Sequence, residues 1–407
     1  MIIIQVKNKA RGFIFTNNFK KVLDRRGTGS EKWNMLYGEG KPNPPFTVPL
    51  SVADMEFTLP RPIVKGLKKH LKNCVLGYTE PTDEYFREVT RWMEDRHMFS
   101  PKKEWFTLYP GVIPAIFDII SKLTEKGDHV LVTPPVYYPF KDAILQTGRV
   151  MDVSPLVIAD GEYRINFDGF ERACSRPEVK LFILCSPHNP VGRVWTRQEL
   201  IDICDICLKH NVLVIADEIH FDLIMPGNSH VSVGTFEEKY LKNCILCTSP
   251  SKTFNLAGLQ CSNIFAADEK IRLALSRGRG YFSLNAFAYP VCILAYRECG
   301  EWLKSLIKVI DENKNLIKRF IAEKIPQIKV FELQGTYLQW LDFRALRLDD
   351  KALEEFLQTK AGIFADEGYI FGEGGSGFER LNIACPTGVI LDSLNRLDIA
   401  VKSLGKS

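Results

Sequence analysis

The chain has 407 residues, long enough for two domains or one large domain with an appendage, and 45% of them are hydrophobic against 25% charged. Its net charge of +4 is small and dispersed, which argues against a nucleic-acid or anionic-membrane partner. No apolar stretch approaches the roughly 18 residues of a membrane span, and the opening Met1-Ile-Ile-Ile-Gln5 is too short for a signal-peptide core, so a cytoplasmic protein is expected.

From about Pro60 to about Ala267, helix-spaced and strand-like apolar patterns alternate. The spacing predicts helices over Arg61–Lys72 and Asp83–Arg96, a strand over Trp105–Tyr109, and a helix over Val112–Lys126 that opens just after Gly111. A strand at His129–Thr133, a helix at Lys141–Gln146, a strand at Lys180–Cys185 and a helix at Arg197–His210 continue the series. Strands at Val212–Ala216, Cys244–Thr248 and Asn263–Ala266 complete it. Such alternation implies an α/β fold, a three-layer αβα arrangement whose mostly parallel sheet is covered by helices on both faces. The tail differs. A long helical region over Phe287–Lys324 precedes short strands at Lys329–Phe331 and Leu338–Phe343, a helix at Asp349–Thr359, a strand at Arg380–Ala384 and a closing helix at Leu391–Leu404. The expected division is a large domain over 60–285 and a smaller α+β domain built from 286–407 with the N-terminal segment 1–59.

Four polar groups stand just past the ends of strand-like runs. Tyr137 follows His129–Thr133, Asn189 follows Val179–Cys185, Asp217 ends Val212–Ala216, and Lys252 follows Cys244–Thr248. In an open parallel sheet, ligands bind at that carboxyl edge. A lysine there forms a Schiff base with an aldehyde cofactor when burial or nearby positive charge lowers its pKa. Singly, each group has a plainer role: Asp217 as a turn cap, Asn189 in its Asn-Pro turn, Tyr137 in the core. Taken together at four successive strand ends, core packing does not account for them.

Eleven cysteines include two C-x-x-C pairs, Cys204/Cys207 and Cys244/Cys247, a spacing that also occurs in zinc sites. The first pair fits the apolar stripe of a helix. The second lies in a strand, where residues three apart point to opposite faces and cannot chelate one metal. Buried free thiols are expected, and no metal. Gly372-Glu-Gly-Gly-Ser-Gly377 has the composition of a phosphate loop, but a strand pattern follows it, so a turn is expected there.

These residues resemble the fold-type I pyridoxal-phosphate enzymes, the aspartate-aminotransferase superfamily, and the similarity runs through nearly the whole chain. The resemblance implies that Lys252 carries pyridoxal 5'-phosphate, that Asp217 pairs with the pyridinium nitrogen, that Asn189 hydrogen-bonds the ring's phenolic oxygen, and that Tyr137 stacks on the ring. It implies a phosphate at the start of the helix after Gly111, met by the backbone N–H groups of Val112 and Ile113 and by the hydroxyls of Ser249 and Ser251. Tyr78, in Gly77-Tyr-Thr79, would reach that phosphate from a neighbouring subunit, which implies a homodimer with shared active sites. Arg380, in Glu379-Arg-Leu-Asn-Ile-Ala-Cys-Pro386, aligns with the arginine that grips the substrate α-carboxylate, with Ala53 beside the substrate. His220 stands where aminotransferases usually carry a tyrosine, and is either a cofactor contact or a structural residue.

Gln260 occupies the position, eight past the lysine, where aminotransferases usually place a phosphate-binding arginine. With Asp217-Glu-Ile-His220-Phe-Asp222, Gly27-Thr-Gly-Ser-Glu-Lys-Trp33, Val52-Ala-Asp-Met-Glu-Phe57, Pro187-His-Asn-Pro-Val-Gly-Arg193 and Gly335-Thr-Tyr-Leu-Gln-Trp-Leu-Asp342, this looks like the C–S β-lyase branch, the cystathionine β-lyases and cysteine desulfhydrase-like enzymes. The reaction so implied has Lys252, freed by the substrate amine, remove the Cα proton; a thiolate leaves Cβ, and hydrolysis yields pyruvate and ammonia. Tyr137 or Tyr138 would assist proton transfer or departure of the thiolate. One departure is Thr387, where the branch usually has an arginine after Ala-Cys-Pro. Two alternatives stand beside the lyase: an aminotransferase on the same scaffold, and a regulatory protein that holds the cofactor without turnover.

Overall fold

The molecule is described by a computed structural model over residues 19–37, 46–277 and 283–404; the opening Met1–Gln5 lies outside the described residues. Seven short runs become strands: β1 (Phe106–Tyr109), β2 (His129–Val132), β3 (Val150–Val153), β4 (Val179–Cys185), β5 (Leu213–Asp217), β6 (Cys244–Thr248) and β7 (Ser262–Ala266). They form one sheet in the order β1-β7-β6-β5-β4-β2-β3. Only β7 runs antiparallel to its neighbours; the pairs β6–β5, β5–β4, β4–β2 and β2–β3 are parallel. Parallel strands need helical crossovers, and these cover both faces of the sheet.

That double burial explains why β4, β5 and β6 read as near-continuous apolar runs. Successive side chains enter two separate cores: Val214 and Ala216 pack into one, Ile215 into the other. Cys244 and Cys247 divide in the same way, one to each core, as period-two geometry requires. Cys204 and Cys207 both face inward from the helix Arg197–Lys209. That helix starts with a capping box, in which Thr196 and Glu199 satisfy each other's backbone N–H groups.

A second sheet of four strands, β8 (Lys329–Val330), β9 (Leu338–Asp342), β10 (Asp366–Glu367) and β11 (Phe378–Asn382), is antiparallel throughout and ordered β8-β9-β11-β10. The Gly372–Gly377 segment is a turn running into β11, as the strand pattern after it predicts. Three expectations need correction. The region Phe287–Lys324 is two helices, Ala288–Glu298 and Gly300–Lys324, because Cys299 takes non-helical dihedrals (φ −105°, ψ 13°) beside a glycine of low helix propensity. The closing helix begins earlier, with Thr387, and spans Thr387–Leu404. The strand β3 is absent from the expected series: its buried residue is Asp152, which pairs with Arg176 and hydrogen-bonds His129, while Val150 and Val153 face outward. Among the described residues, no helix is long and apolar enough to cross a membrane.

One buried carboxylate ties the segment bearing Lys252 to its surroundings. Asp222 is fully enclosed and accepts hydrogen bonds from Trp92 Nε1, Arg96 Nε, His97 Nε2 and Thr253 Oγ1. Burial alone would raise its pKa, but the His97 hydrogen bond and charge, with Arg96 and Thr253, outweigh this and hold it below the usual carboxylate value. The substitution Asp222→Ala removes the shared acceptor of these groups, of which Trp92, His97 and Thr253 are buried. It is expected to cost about 3–5 kcal/mol, read as a lowered midpoint in urea denaturation.

Candidate active site

The parallel register aligns the ends of three neighbouring strands, setting Cys185 opposite Asp217 and Asp217 opposite Cys247. Loops leaving those ends, together with the segment around Ala53, enclose a cavity of about 180 Å³. Tyr137, Asn189, Asp217 and Lys252 all line it, so the four strand-end groups read from the sequence converge on one space. A larger hollow of about 690 Å³, beside Thr79, Phe86 and Tyr289, contains none of them.

Lys252 sits in the one-turn helix Pro250–Thr253, which directly follows β6. Its Nζ donates to the Ala53 carbonyl at 2.9 Å. Burial, then the positive field of Arg380, lowers the amine pKa to about 8, while Asp54 and Asp217 oppose the shift. The amine is therefore a base within reach of neutrality, and the cavity leaves it accessible.

Asp217 is the last residue of β5, and its Oδ1 accepts the Ile219 N–H at 3.1 Å. Burial raises its pKa to about 7, against the opposing pull of that hydrogen bond and of Lys252. Among the described residues it makes no ion pair. A carboxyl so enclosed lacks a cationic partner, and a protonated ring nitrogen in the cavity supplies one. His220 is buried, and its Nδ1 has no hydrogen-bond partner. Burial, then the charges of Lys252 and Arg380, holds its pKa well below the usual imidazole value, so the ring is neutral.

Arg380, on β11, is buried; its Nη1 donates to Asn189 Oδ1 at 2.9 Å and its Nη2 to Asp366 Oδ2 at 2.5 Å. Its buried Nε–H has no hydrogen-bond partner, a donor of the kind a carboxylate satisfies. Asn189 thus links the arginine to the cavity wall. Tyr137 forms part of that wall, edge-on to Phe140, and burial drives its hydroxyl pKa upward, so it stays protonated. Val112 and Ile113, the first residues of the helix Val112–Leu123, also line the cavity, where free N–H groups and the helix dipole favour an anion. Ser251 lines the same end.

Four sequence expectations are not met within this cavity, the first being Arg380, which is absent from its wall and reaches it through Asn189. Ser249 is fully buried and its hydroxyl donates to the Cys261 carbonyl at 2.6 Å, while accepting the Ser251 N–H to cap the lysine-bearing turn. It supports the site from behind instead of facing it. Tyr138 starts the next helix, is 39% exposed, and packs edge-on against Phe371. Tyr78 is fully exposed and absent from this chain's own cavity wall. Conversely, three groups were not singled out from the sequence. Tyr337 donates its hydroxyl to the Ala53 carbonyl at 2.9 Å; Asn382 Nδ2 holds the Val52 and Asp54 carbonyls at 2.7 and 2.9 Å; Asp366 pairs with Arg380. Tyr337 and Val52–Asp54 fall in runs already matched to the lyase branch. Asp366 carried no signal.

A family model for aminotransferase class I and II matches residues 47–396. Cystathionine beta-lyase PatB of Bacillus subtilis is 38% identical over 390 residues, 94% of this chain and 100% of that protein. The crystal structure of cystalysin from Treponema denticola, which contains a pyridoxal 5'-phosphate cofactor, superposes with a TM-score of 0.93 at 45% identity, covering 96% of this chain and 100% of that one. A pyridoxal-phosphate-bound C–S lyase from Staphylococcus hominis gives a TM-score of 0.88 at 28% identity, over 96% of this chain and 99% of that one.

The raised Asp217 pKa has a measurable consequence in the cofactor-free protein. A carboxyl that titrates near 7 when folded and near 3.8 when unfolded holds its proton longer in the folded state. Its contribution to stability is complete below pH ~4 and is lost as pH rises through about 7. Asp217→Asn is expected to flatten the fall in melting temperature across pH 4–7, and calorimetry of the two apoproteins checks it.

Proposed function

The chain belongs to the aminotransferase class I and II family, and on that premise we propose that it is a pyridoxal-phosphate-dependent carbon–sulfur β-lyase. Its substrates are cystathionine, cysteine or related cysteine S-conjugates, split with water into pyruvate, ammonia and a thiol. The observation that carries this reading is the Lys252 amine, which lines one cavity with Asp217, Asn189 and Tyr137 and is lowered to a pKa of about 8 by burial and then by Arg380. Relatives with matching whole-length coverage carry lyase names, and Gln260 replaces the arginine that aminotransferases usually direct at the phosphate.

The residues fit the cofactor. When bound, pyridoxal phosphate supplies an aldehyde for an amine and a ring that accepts electrons from the substrate's Cα. Lys252 is the attachment point. Once displaced by the substrate's own amine, its neutral nitrogen takes the Cα proton. Asp217 presents negative charge to the ring nitrogen. The Asn189 amide is available for the ring's phenolic oxygen, and His220 is the neutral neighbour beside it. The N–H groups of Val112 and Ile113, with the Ser251 hydroxyl, hold the phosphate. Tyr137 walls the ring face and, being protonated, can pass a proton to a departing thiolate. Arg380 binds the α-carboxylate, which fixes the Cα–H bond toward Lys252.

The same reading assigns 60–285 to a large cofactor-binding domain and 1–59 with 286–407 to a small one. A homodimer also follows. Val75, Leu76 and Tyr78 are 84%, 70% and 102% exposed, and a contiguous apolar segment of this kind supports burial against a second copy, with Tyr78 reaching the partner's phosphate site. All eleven cysteines are free, which supports a cytoplasmic location.

Purified protein given L-cystathionine without any keto acid is expected to release pyruvate and free thiol. Lys252→Ala should lower that rate by about a thousandfold or more, and Arg380→Ala should lower kcat/KM about a hundredfold. Product that forms only when a keto acid is added would instead establish transamination. Mixing and reassociating Lys252→Ala and Tyr78→Ala variants tests the shared site. Half of the dimers then carry one intact site, and about a quarter of wild-type activity should return.

A further inference from the structure

Asp366 lies directly opposite Arg380 in the β10–β11 pairing. One of its oxygens, Oδ2, accepts from two donors: Arg380 Nη2 at 2.5 Å and the Val52 backbone N–H at 2.9 Å. Val52 has φ +49°, a conformation that a β-branched residue adopts only when its surroundings impose it. Asn382 fixes the carbonyls on either side of the strained turn. The next residue, Ala53, offers the carbonyl that holds the Lys252 amine. A continuous set of hydrogen bonds therefore runs from the arginine fork, through one carboxylate oxygen and a strained peptide, to the amine. Asp366 is buried and does not line the cavity, so it acts through others.

We propose that Asp366 is a positioning residue of the reaction, orienting the Arg380 fork toward the substrate carboxylate and holding the Ala53 carbonyl in place against Lys252. This deepens the lyase reading and rests on its assignment of Arg380 as the carboxylate anchor. Asn189 constrains only Nη1 of that fork. Phe371 lies under the guanidinium, 4.8 Å from its carbon, so without a contact at Nη2 the fork is free to turn in its own plane over that ring, and the unpartnered Nε turns with it. The two donors on Oδ2 also separate chemically. Asparagine at 366 keeps an oxygen for the Val52 N–H but removes the charge that grips Arg380. Alanine removes both.

The test measures binding through the absorbance of the bound cofactor, using L-alanine, which has no β-leaving group, and L-alaninamide, which has no carboxylate. In the holoenzyme of Asp366→Asn, the Kd for L-alanine is expected to rise about tenfold, with that for L-alaninamide changed by less than about twofold. The KM for L-cystathionine should rise with the former, while kcat stays within about threefold. Asp366→Ala should show the same selectivity and, in addition, a fall in kcat of about tenfold as the Val52 turn loses its acceptor. Equal weakening of both ligands, or an unchanged or tighter L-alanine Kd, overturns the proposal as a generic structural effect or none. Equal kcat values for the two variants overturn its Lys252 limb. If wild-type protein releases no pyruvate, the lyase reading fails, yet the comparison of the two amino-acid ligands still decides the role of Asp366.

Discussion

Two cations share one buried site, and the rest of the active-site architecture follows from that arrangement. Lys252 and Arg380 lie within each other's field, and burial weakens the solvent screening that would otherwise separate them. Burial disfavours the ammonium ion, the positive field of Arg380 adds to that, and the amine becomes a base. Three carboxylates act on the pair. Asp366 takes the arginine directly, while Asp54, and after it Asp217 with its own pKa raised to about 7, favour the charged lysine. Were Asp217 in contact with Lys252, the amine would be locked as an ammonium ion. The geometry instead gives the lysine a neutral acceptor, the Ala53 carbonyl.

Such charge placement depends on backbone precision, and the sheet provides it. Parallel pairing with Asp217 in register between Cys185 and Cys247 brings three loops to the same height. Polar groups behind the site then fix those loops without entering it. Asp222 collects four donors, among them the hydroxyl of Thr253, the neighbour of Lys252. Ser249 caps the turn that carries the lysine. The catalytic amine is therefore mounted on a rigid turn with satisfied hydrogen bonds on its far side, which keeps its remaining freedom along the direction of the cavity.

The sequence made the large sheet and the convergent groups legible because both obey periodicity. The central parallel strands are near-continuous apolar runs, and Tyr137, Asn189, Asp217 and Lys252 each stand at or just past the end of one. What escaped lacks a period. Asp366 belongs to a strand of two residues, and Val52–Asp54 is irregular backbone defined by contacts more than 300 residues away in the chain. Ser249 and Ser251 look equivalent in sequence, yet only the second faces the cavity, since the first donates its hydroxyl to Cys261. The same limit separates Tyr137 from Tyr138: adjacent aromatics cannot both face inward, and the choice is made by the turn into the following helix.

The Ala53 carbonyl shows how the site tolerates a change in its own lysine. A carbonyl oxygen has two lone pairs, and here both are used, one by Lys252 Nζ and one by the Tyr337 hydroxyl, each at 2.9 Å. Covalent use of the amine withdraws the first donor. The second remains, because Tyr337 is fully buried and burial keeps its hydroxyl protonated. Val52 and Asp54 are meanwhile held by Asn382, which takes no part in the lysine's exchange. The strained turn thus has enough independent contacts to persist when the amine leaves it, and the carbonyl is in place when the amine returns. A turn held by the lysine alone would relax each time the lysine was engaged, and the base would have to be repositioned in every cycle.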